Sequence, residues 1–303
     1  MSIVKIGKLC RSMDHERLTR SFSSGLSGCK LSISNDGKFV TKISSDHNYN
    51  LRLSEQIKKQ IEFKKISVEG IMSPGIVESG KNEDGLYYFT MEYAAGKDYM
   101  DFLNYSSPEE IRIFTNSIFR YIESIRFNSK SKYTDSEFSD ICIGKMRSIK
   151  KHIPDHFFYE FLEDKIKKIS GTNVELSFCH GDLTLSNILF SKKTIFFLDF
   201  LDSYIESWII DLVKLKQDLF YFWSSLRSSD KPNLRFIQSS INIWYEIEKK
   251  YSEVVFSDEF MILEALNFLR IYPYAKEESD ILLIETILKK LPIYEEFNNS
   301  NGG

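Results

Sequence analysis

Three side chains that could carry chemistry lie close together in the sequence. Asp182 stands in the run His-Gly-Asp-Leu-Thr-Leu-Ser-Asn, Asn187 ends that run, and Asp199 follows in Leu-Asp-Phe. Carboxylate and amide oxygens are ligands that Mg²⁺ prefers, and a positioned carboxylate can orient a hydroxyl group and accept its proton. One Asp for the hydroxyl and an Asn/Asp pair for the metal is the minimum set that phosphoryl transfer requires.

The elements around these residues are predicted to bring the two metal ligands together. Short apolar strands are predicted at 188–190 and 194–198, joined by a turn at 191–193. Since a hairpin returns the chain to its starting end, Asn187 before the first strand and Asp199 after the second should be neighbours.

The run from His180 to Asn187, the hairpin and Asp199 together resemble the signature of the aminoglycoside phosphotransferase and choline kinase superfamily. Gly181, and the lack of an Asp-Phe-Gly triplet, set the chain apart from the protein kinases. Asp211, in Ile-Asp-Leu, is similar to the Asp-Leu pair that opens a helix in this superfamily. The resemblance implies an α+β fold of the bilobal, protein-kinase-like type. Its N-lobe would be a small antiparallel sheet with one helix, and its larger C-lobe would be mainly helical.

The same resemblance implies a role for each motif residue. Asp182 would be the catalytic base or the carboxylate that orients the hydroxyl group. Asn187 and Asp199 would be ligands of Mg²⁺, and His180 would be structural. The phosphoryl donor would be ATP or GTP, and the acceptor would be a small molecule with a hydroxyl group.

The hydrophobic pattern agrees with two lobes. Strands are predicted at 31–34, 38–43, 76–78 and 86–92, with an amphipathic helix at 48–66. Helices are predicted from 108 onward and at 157–169, 209–223, 237–251, 259–271 and 280–291. We therefore expect a nucleotide-binding lobe at 1–95 and a lobe at 96–303 that holds the catalytic hairpin and the acceptor-binding helices.

A short glycine-containing run precedes the first predicted hairpin. It reads Ser-Ser-Gly-Leu-Ser-Gly and includes Gly25, Ser27 and Gly28. Glycines let the backbone approach phosphate oxygens, and serine adds a hydroxyl donor. The run is a candidate phosphate-binding loop, and an ordinary turn is the alternative.

Lys42 lies between apolar residues in a strand that should be buried, which favours a paired, functional lysine. It resembles the lysine that contacts the nucleotide phosphates in kinases. Its partner should be a glutamate on the following helix. Both Glu55 and Glu62 qualify, and the spacing from Glu62 to the proline at 74 favours Glu62.

The end of the last N-lobe strand resembles the hinge that holds the nucleotide base. Met91 would lie behind the base. The backbone carbonyl of Glu92 and the backbone N–H of Ala94 would bond to it.

Composition excludes several classes of partner and site. The 303 residues carry a formal charge of −3, which argues against a nucleic-acid-binding surface. No apolar run reaches transmembrane length, and the first residues lack the apolar stretch of a signal peptide. The four cysteines show neither CxxC pairing nor metal-ligand spacing, so buried free thiols are expected. These features indicate a cytoplasmic protein without nucleic-acid or membrane partners.

The expected activity is phosphorylation of a sugar, an amino alcohol or an aminoglycoside-like compound. A sugar or sugar-like alcohol is favoured over an antibiotic, because the C-terminal region has no dense acidic cluster. A Ser/Thr protein-kinase-like enzyme and a nucleotide-binding pseudokinase regulator are the alternatives. Loss of one of the motif residues would indicate the regulator, and all of them are present.

Overall fold

The computed structural model describes residues 22–23, 28–129, 131–191, 194–275, 277–292 and 294. The chain divides into two compact units, one formed by Met1–Phe127, His180–Ser203 and Leu215–Ile247, the other by Asn128–Cys179, Tyr204–Lys214 and Glu248–Gly303. Every predicted site residue that the structure describes falls in the first unit.

The strands are short. In chain order they are β1 (Phe22–Ser23), β2 (Lys30–Ile33), β3 (Phe39–Ile43), β4 (Ile71–Met72), β5 (Ile76–Lys81), β6 (Tyr87–Glu92), β7 (Ser131–Lys132), β8 (Glu175–Leu176), β9 (Ile188–Phe190) and β10 (Ile195–Phe197).

The helices lie mainly after β6. They are α1 (Asn50–Ile66), α2 (Tyr99–Tyr105), α3 (Pro108–Phe127), α4 (Asp135–Lys150), α5 (Phe158–Lys167), α6 (Trp208–Leu219), α7 (Leu234–Lys250), α8 (Ser252–Val255), α9 (Asp258–Ile271) and α10 (Glu278–Lys290).

The main sheet of the first unit is antiparallel, in the order β1-β2-β3-β6-β5. Strand β3 alternates, so that Val40 and Lys42 are buried while their neighbours are half-buried. Leu53 and Ile57 of α1 belong to the same hydrophobic cluster as Val40, which covers this face of the sheet. The predicted hairpins are confirmed, and an antiparallel sheet followed mainly by helices agrees with the predicted α+β fold class.

A second, smaller sheet contains strands β9 and β10, the hairpin predicted to carry the catalytic residues and called the catalytic hairpin below. Strands β9 and β10 pair as predicted, with Ile188 opposite Phe197. Strand β4 adds to β10 in parallel, with Ile71 opposite Ile195. This parallel pairing joins segments that are far apart in the sequence, and no local pattern predicted it.

The predicted start of α3 is confirmed, and local hydrogen bonds fix it. The side chain and backbone of Ser107 exchange hydrogen bonds with Glu110 at the start of α3. Helix α6 ends at Leu219, earlier than predicted. Phe222 has a left-handed φ of 57°, and a 3-10 turn at Trp223–Arg227 replaces the expected last turn.

Helices α2 and α4 were not predicted from the sequence. Helix α2 is only two turns long, so its periodicity is weak. Helix α4 begins with a capping box between Thr134 and Glu137, a start signal that is visible in the sequence. Its buried residues follow at helical spacing: Phe138, Cys142, Met146 and Ile149.

Aromatic packing joins α1 to the catalytic hairpin. The ring of Phe63 lies 5.1 Å from that of Phe200, 5.8 Å from that of Phe197 and 6.0 Å from that of Tyr121. Since Phe63 is buried, the packing fixes the helix against the segment around Asp199.

Two further expectations concern cysteines and membrane spans. Among the described residues, Cys29, Cys142 and Cys179 are buried thiols that form no disulfide, as predicted, and Cys10 lies outside that part of the chain. No helix in the described part of the chain is long and apolar enough to cross a membrane.

The aromatic packing predicts a large stability effect at one position of α1. Phe63→Ala should lower the free energy of unfolding by about 3–5 kcal/mol, because it empties a space between three buried rings. The exposed neighbour Glu62→Ala should change that free energy by no more than about 0.5 kcal/mol. Urea unfolding of both variants measures the change in the free energy of unfolding. Equal changes in the two variants would contradict a stabilising role for the packing of Phe63.

Candidate active site

An ion pair brings strand β3 to the end of the catalytic hairpin. The Nζ atom of Lys42 donates to Oδ1 of Asp199 at 2.9 Å. Lys42 is 3% exposed. Its burial opposes the charged form, but the Asp199 carboxylate outweighs that effect and raises the pKa of Lys42 above its usual value. The lysine is therefore a buried, fixed positive charge.

The helix residue that contacts Lys42 is a glutamine. Oε1 of Gln56 accepts a hydrogen bond from Lys42 Nζ at 3.3 Å. The predicted pairing with Glu62 is wrong, since Glu62 lies on the exposed face of α1. Glu55 pairs instead with Lys58.

The error at Glu62 has a simple physical origin. The spacing to Pro74 suggested Glu62, but Nε2 of Gln60 makes that link by donating to the Pro74 carbonyl at 2.8 Å. Gln56 and Gln60 share the buried face of the helix because they are four residues apart. Glu62 is rotated away from that face. The apolar residues Leu53 and Ile57, which share a helix face with Gln56, are the sequence signal that indicates the buried face.

Asp182 and Asn187 are held together in one loop. Nδ2 of Asn187 donates to the backbone carbonyl of Asp182 at 2.8 Å and to its carboxylate at 3.3 Å. The amide group of Asn187 is thereby oriented, with its Oδ1 atom turned away from these bonds. The carboxylate of Asp182 is half-buried. The structure thus brings the predicted base next to the first predicted metal ligand.

Asp199 is fixed by the backbone on both sides. The N–H of Leu198 donates to the Asn187 carbonyl at 2.9 Å, and the N–H of Leu201 donates to the His180 carbonyl at 2.9 Å. Between them Asp199 adopts a left-handed φ of 58°. A non-glycine residue in that region is strained, and the surrounding contacts must hold it there. Asn187 and Asp199 therefore meet at one end of the hairpin, as predicted.

The approach of Leu201 explains why residue 181 is glycine. Gly181 has a φ of +83°, and a Cβ atom there would lie 1.9 Å from the Leu201 carbonyl oxygen. That oxygen also accepts a hydrogen bond from Nζ of Lys59 at 2.8 Å. Lys59 is buried and was not predicted as a site residue. It ties α1 to the segment that follows Asp199.

His180 has the surroundings of a structural residue. Its ring is fully buried and stacks on Phe200 at 4.3 Å, and its Nδ1 atom accepts the backbone N–H of Asp182 at 3.3 Å. Burial lowers the pKa of His180 to about 4. The imidazole is therefore neutral near pH 7 and supports the loop without carrying charge.

The donor set at the hairpin end suits a hard cation. It consists of the amide oxygen of Asn187 and the carboxylate of Asp199. Lys42 bonds to Oδ1 of Asp199, so Oδ2 of Asp199 is available to a cation. Mg²⁺ is commonly held by one or two protein oxygens together with substrate phosphates and water. Within the described residues no group of three or more His, Cys, Asp or Glu side chains could hold a metal by itself. The site residues fit Mg²⁺ that arrives with a nucleotide.

The remaining predicted nucleotide contacts lie around the sheet. Met91 and Ala94 are buried and share a hydrophobic cluster with Leu189 of β9. The carboxylate of Glu92 accepts the Gly75 N–H at 2.8 Å. Gly28 is exposed with a φ of +65°, whereas Gly25 and Ser27 lie outside the described residues.

A separate cavity of about 140 Å³ lies in the first unit. Its walls include Phe102, Phe114 and Phe190, and Lys97 and Glu110 form an ion pair at its edge. None of the predicted site residues lines it. It is therefore not the place where the chemistry would occur.

Comparison with known proteins gives one family match and many similar structures. The family described as "Phosphotransferase enzyme family" matches residues 145–238, which include the whole motif from His180 to Asp211. No curated protein matches the chain.

The similar structures share the fold at low sequence identity. A ternary complex of aminoglycoside phosphotransferase APH(4)-Ia with ADP and hygromycin B has 11% identity and a TM-score of 0.58, with 94% of each chain covered. The streptomycin–ATP complex of APH(2")-IIa has 12% identity and a TM-score of 0.55, with 96% of this chain and 97% of that chain covered. A glucosamine kinase has 10% identity and a TM-score of 0.52, with 91% and 78% covered.

Residues 145–238 match a phosphotransferase family, and the fold is that of the kinase-like aminoglycoside phosphotransferases. The resemblance to the aminoglycoside phosphotransferase superfamily is confirmed by the family match and by the shared fold.

The contact between Gln56 and Lys42 predicts unequal effects of two substitutions on α1. Gln56→Leu should weaken binding of Mg·ADP about threefold to tenfold, because a buried ammonium loses one hydrogen-bond acceptor. Glu62→Gln should leave the affinity within about twofold of the wild type. Isothermal titration calorimetry measures both. A larger loss of Mg·ADP affinity in Glu62→Gln than in Gln56→Leu would instead support Glu62 as the partner of Lys42.

Proposed function

We propose that the protein transfers the γ-phosphate of ATP or GTP to a hydroxyl group of a small molecule, with Mg²⁺. The observation that carries the proposal is the convergence of Asp182, Asn187, Asp199 and Lys42 within one compact unit. This set supplies a proton acceptor, two oxygen ligands and a fixed cation. A regulator without chemistry would not need Asp182 beside the metal ligands.

Asp182 would act on the acceptor. Its carboxylate would orient the acceptor hydroxyl and accept its proton as the hydroxyl oxygen bonds to the γ-phosphorus. The bond from the γ-phosphorus to the bridging oxygen breaks, and the nucleoside diphosphate leaves. Because the transition state of such transfers is loose, positioning contributes more than basicity.

Lys42 and the hairpin end would act on the nucleotide. Lys42 would neutralise charge on the nucleotide phosphates, and Asn187 and Asp199 would hold the metal ion. When bound, Mg²⁺ would neutralise charge on the phosphate oxygens. Lys42 is already desolvated and fixed by Asp199 and Gln56, so little reorganisation is needed on binding.

The nucleotide base would lie against the end of β6. The backbone N–H of Ala94 makes no hydrogen bond with any residue that the structure describes. A buried N–H usually has a partner, and a ring nitrogen of the base could be that partner. Met91 and Leu189, which share its cluster, would give the base an apolar surface. Gly25, Ser27 and Gly28 remain the proposed phosphate loop, and the nucleotide lobe remains proposed at 1–95.

The acceptor is proposed to be a sugar or sugar-like alcohol. Similar structures were solved with hygromycin B and with glucosamine, which supports a hydroxyl-bearing ring compound. The helices at 96–303 would supply its binding site.

A panel assay tests the proposed activity. The protein should convert ATP or GTP to the diphosphate in a Mg²⁺-dependent way, and at least one sugar or amino sugar should accelerate the reaction and gain a phosphate by mass spectrometry. If the purified protein binds nucleotide but phosphorylates no compound and hydrolyses none, the enzymatic function would be rejected.

Asp182→Asn should reduce turnover by about 10²–10⁴-fold, since it removes the proton acceptor but keeps the shape of the side chain. Nucleotide affinity should change little, because Lys42 and both metal ligands are unaltered. Initial rates and calorimetric affinities on the same preparation provide the measurement. Full turnover would remove the role given to Asp182, and collapse of nucleotide affinity would point to metal binding instead.

A further inference from the structure

A buried carboxylate on another element contacts the loop that carries the catalytic residues. Asp218 lies in the last turn of α6 and is 1% exposed. Its Oδ2 atom accepts the backbone N–H of Leu185 at 2.7 Å and the hydroxyl of Ser224 at 2.8 Å. Its Oδ1 atom accepts the backbone N–H of Ser224 at 3.0 Å.

The bonded amide occupies a sensitive position. Leu185 lies between Asp182 and Asn187 and begins the 3-10 turn Leu185–Asn187. The first N–H groups of a helix have no acceptor inside it, and Asp218 supplies that acceptor here. The two ends of this short segment are the proposed base and the first metal ligand, so the position of Leu185 sets their spacing.

The other side of the carboxylate is also anchored. The hydroxyl of Tyr99 on α2 donates to the Ser224 carbonyl at 2.8 Å. Phe222, two residues before Ser224, has a strained left-handed φ of 57°. The strained turn presents both donors of Ser224 to Asp218. A continuous hydrogen-bonded path therefore runs from α2 to the catalytic loop.

We propose that Asp218 is a positioning residue for phosphoryl transfer, holding Leu185 so that Asp182 and Asn187 keep their working geometry. The inference rests on the proposed function. Asp218 touches neither the substrate nor the metal in this account, because it acts through the backbone of the loop.

The ionisation of Asp218 supports a functional role. Burial raises the pKa of Asp218 to about 6, the nearby charge of Asp182 adds to the rise, and the donors from Ser224 and Leu185 oppose it. From α2 the phenol of Tyr99 is the titratable group that interacts with it. Since its folded-state pKa exceeds the unfolded value, ionisation opposes folding, and this unfavourable contribution is fully present above about pH 6. Near neutral pH Asp218 is therefore a buried carboxylate held by three donors, which fits a positioning role.

Protonation should change the hydrogen bonds that hold the loop. A carboxylic acid has one acceptor oxygen and one donor, so it cannot accept all three bonds that the carboxylate accepts. Turnover should therefore fall as the pH drops through about 6, and the fall should depend on Asp218.

The test compares Asp218→Asn with the matched control Ser224→Ala. Asparagine keeps the size of the side chain but turns one acceptor into a donor. Ser224→Ala removes a donor on the far side of Asp218 and leaves the bond to Leu185. The probe is Mg·ATP hydrolysed with water as acceptor, followed from pH 5.5 to 8.5. Mg·ADP titration gives affinity and the fraction of folded sites, and hydrogen–deuterium exchange follows the segment around Leu185.

In Asp218→Asn, kcat should fall about tenfold to a hundredfold, while KM for Mg·ATP stays within about twofold. The inflection near pH 6 should disappear, and the segment around Leu185 should exchange faster. Ser224→Ala should keep kcat within about threefold of the wild type and retain the inflection, moved to higher pH because the Ser224 hydroxyl no longer lowers the pKa of Asp218.

Two results would overturn the inference. One is an Asp218→Asn protein with wild-type kcat and wild-type exchange. The other is a fall in kcat that matches the loss of folded sites, which would make the role merely structural. If the wild type neither hydrolysed Mg·ATP nor phosphorylated any compound of the panel, the proposed function would fail, and the exchange measurement alone would decide whether Asp218 holds the loop.

Discussion

The ion pair between Lys42 and Asp199 is the contact on which the site depends. It joins strand β3 to the residue after β10, two segments separated by most of the first unit's sequence. Burying the Lys42 charge without a partner would be strongly unfavourable, so the lysine requires Asp199, whose carboxylate is itself partly exposed. The pair also leaves one oxygen of Asp199 available, which would let the same carboxylate bind the proposed metal ion as well as the lysine.

Helix α1 supports this contact from one face. Gln56, Lys59 and Phe63 follow one another at intervals of three and four residues, which places them on the same side of a helix. They contact Lys42, the Leu201 carbonyl and the ring of Phe200. A shift of α1 would therefore move the cation, the segment after Asp199 and the packing beneath the loop together. The helix couples the nucleotide side of the site to the catalytic loop.

Much of the fold and the core of the site could be predicted because their signals are local. The pairing of β9 with β10, the capping box at Ser107 and the motif from His180 to Asn187 each depend on a short stretch of sequence. Their geometry follows from turn chemistry, capping and strand pairing. The turn predicted at 191–193 includes residues 192–193, which lie outside the described residues. The expectation that Asn187 and Asp199 meet needed only the antiparallel register of β9 and β10.

The contacts that sequence could not supply are long-range. The parallel pairing of β4 with β10, the partner of Lys42 and the bond from Asp218 to Leu185 all depend on how distant segments pack. Spacing alone favoured Glu62 because it could not show which face of α1 is buried. Asp218 carried no motif, so its contact with the catalytic loop became visible only in three dimensions.

We propose that Asn187 and Asp199 hold the metal ion of a bound nucleotide beside Asp182. Electron paramagnetic resonance of Mn²⁺, titrated in the presence of a non-hydrolysable ATP analogue, measures this directly. The wild type should bind one Mn²⁺ per chain, and Asp199→Asn and Asn187→Ala should each weaken that binding about tenfold or more. Glu62→Gln should bind Mn²⁺ as the wild type does. Unchanged Mn²⁺ affinity in both ligand variants would show that the metal is held elsewhere and would contradict the account.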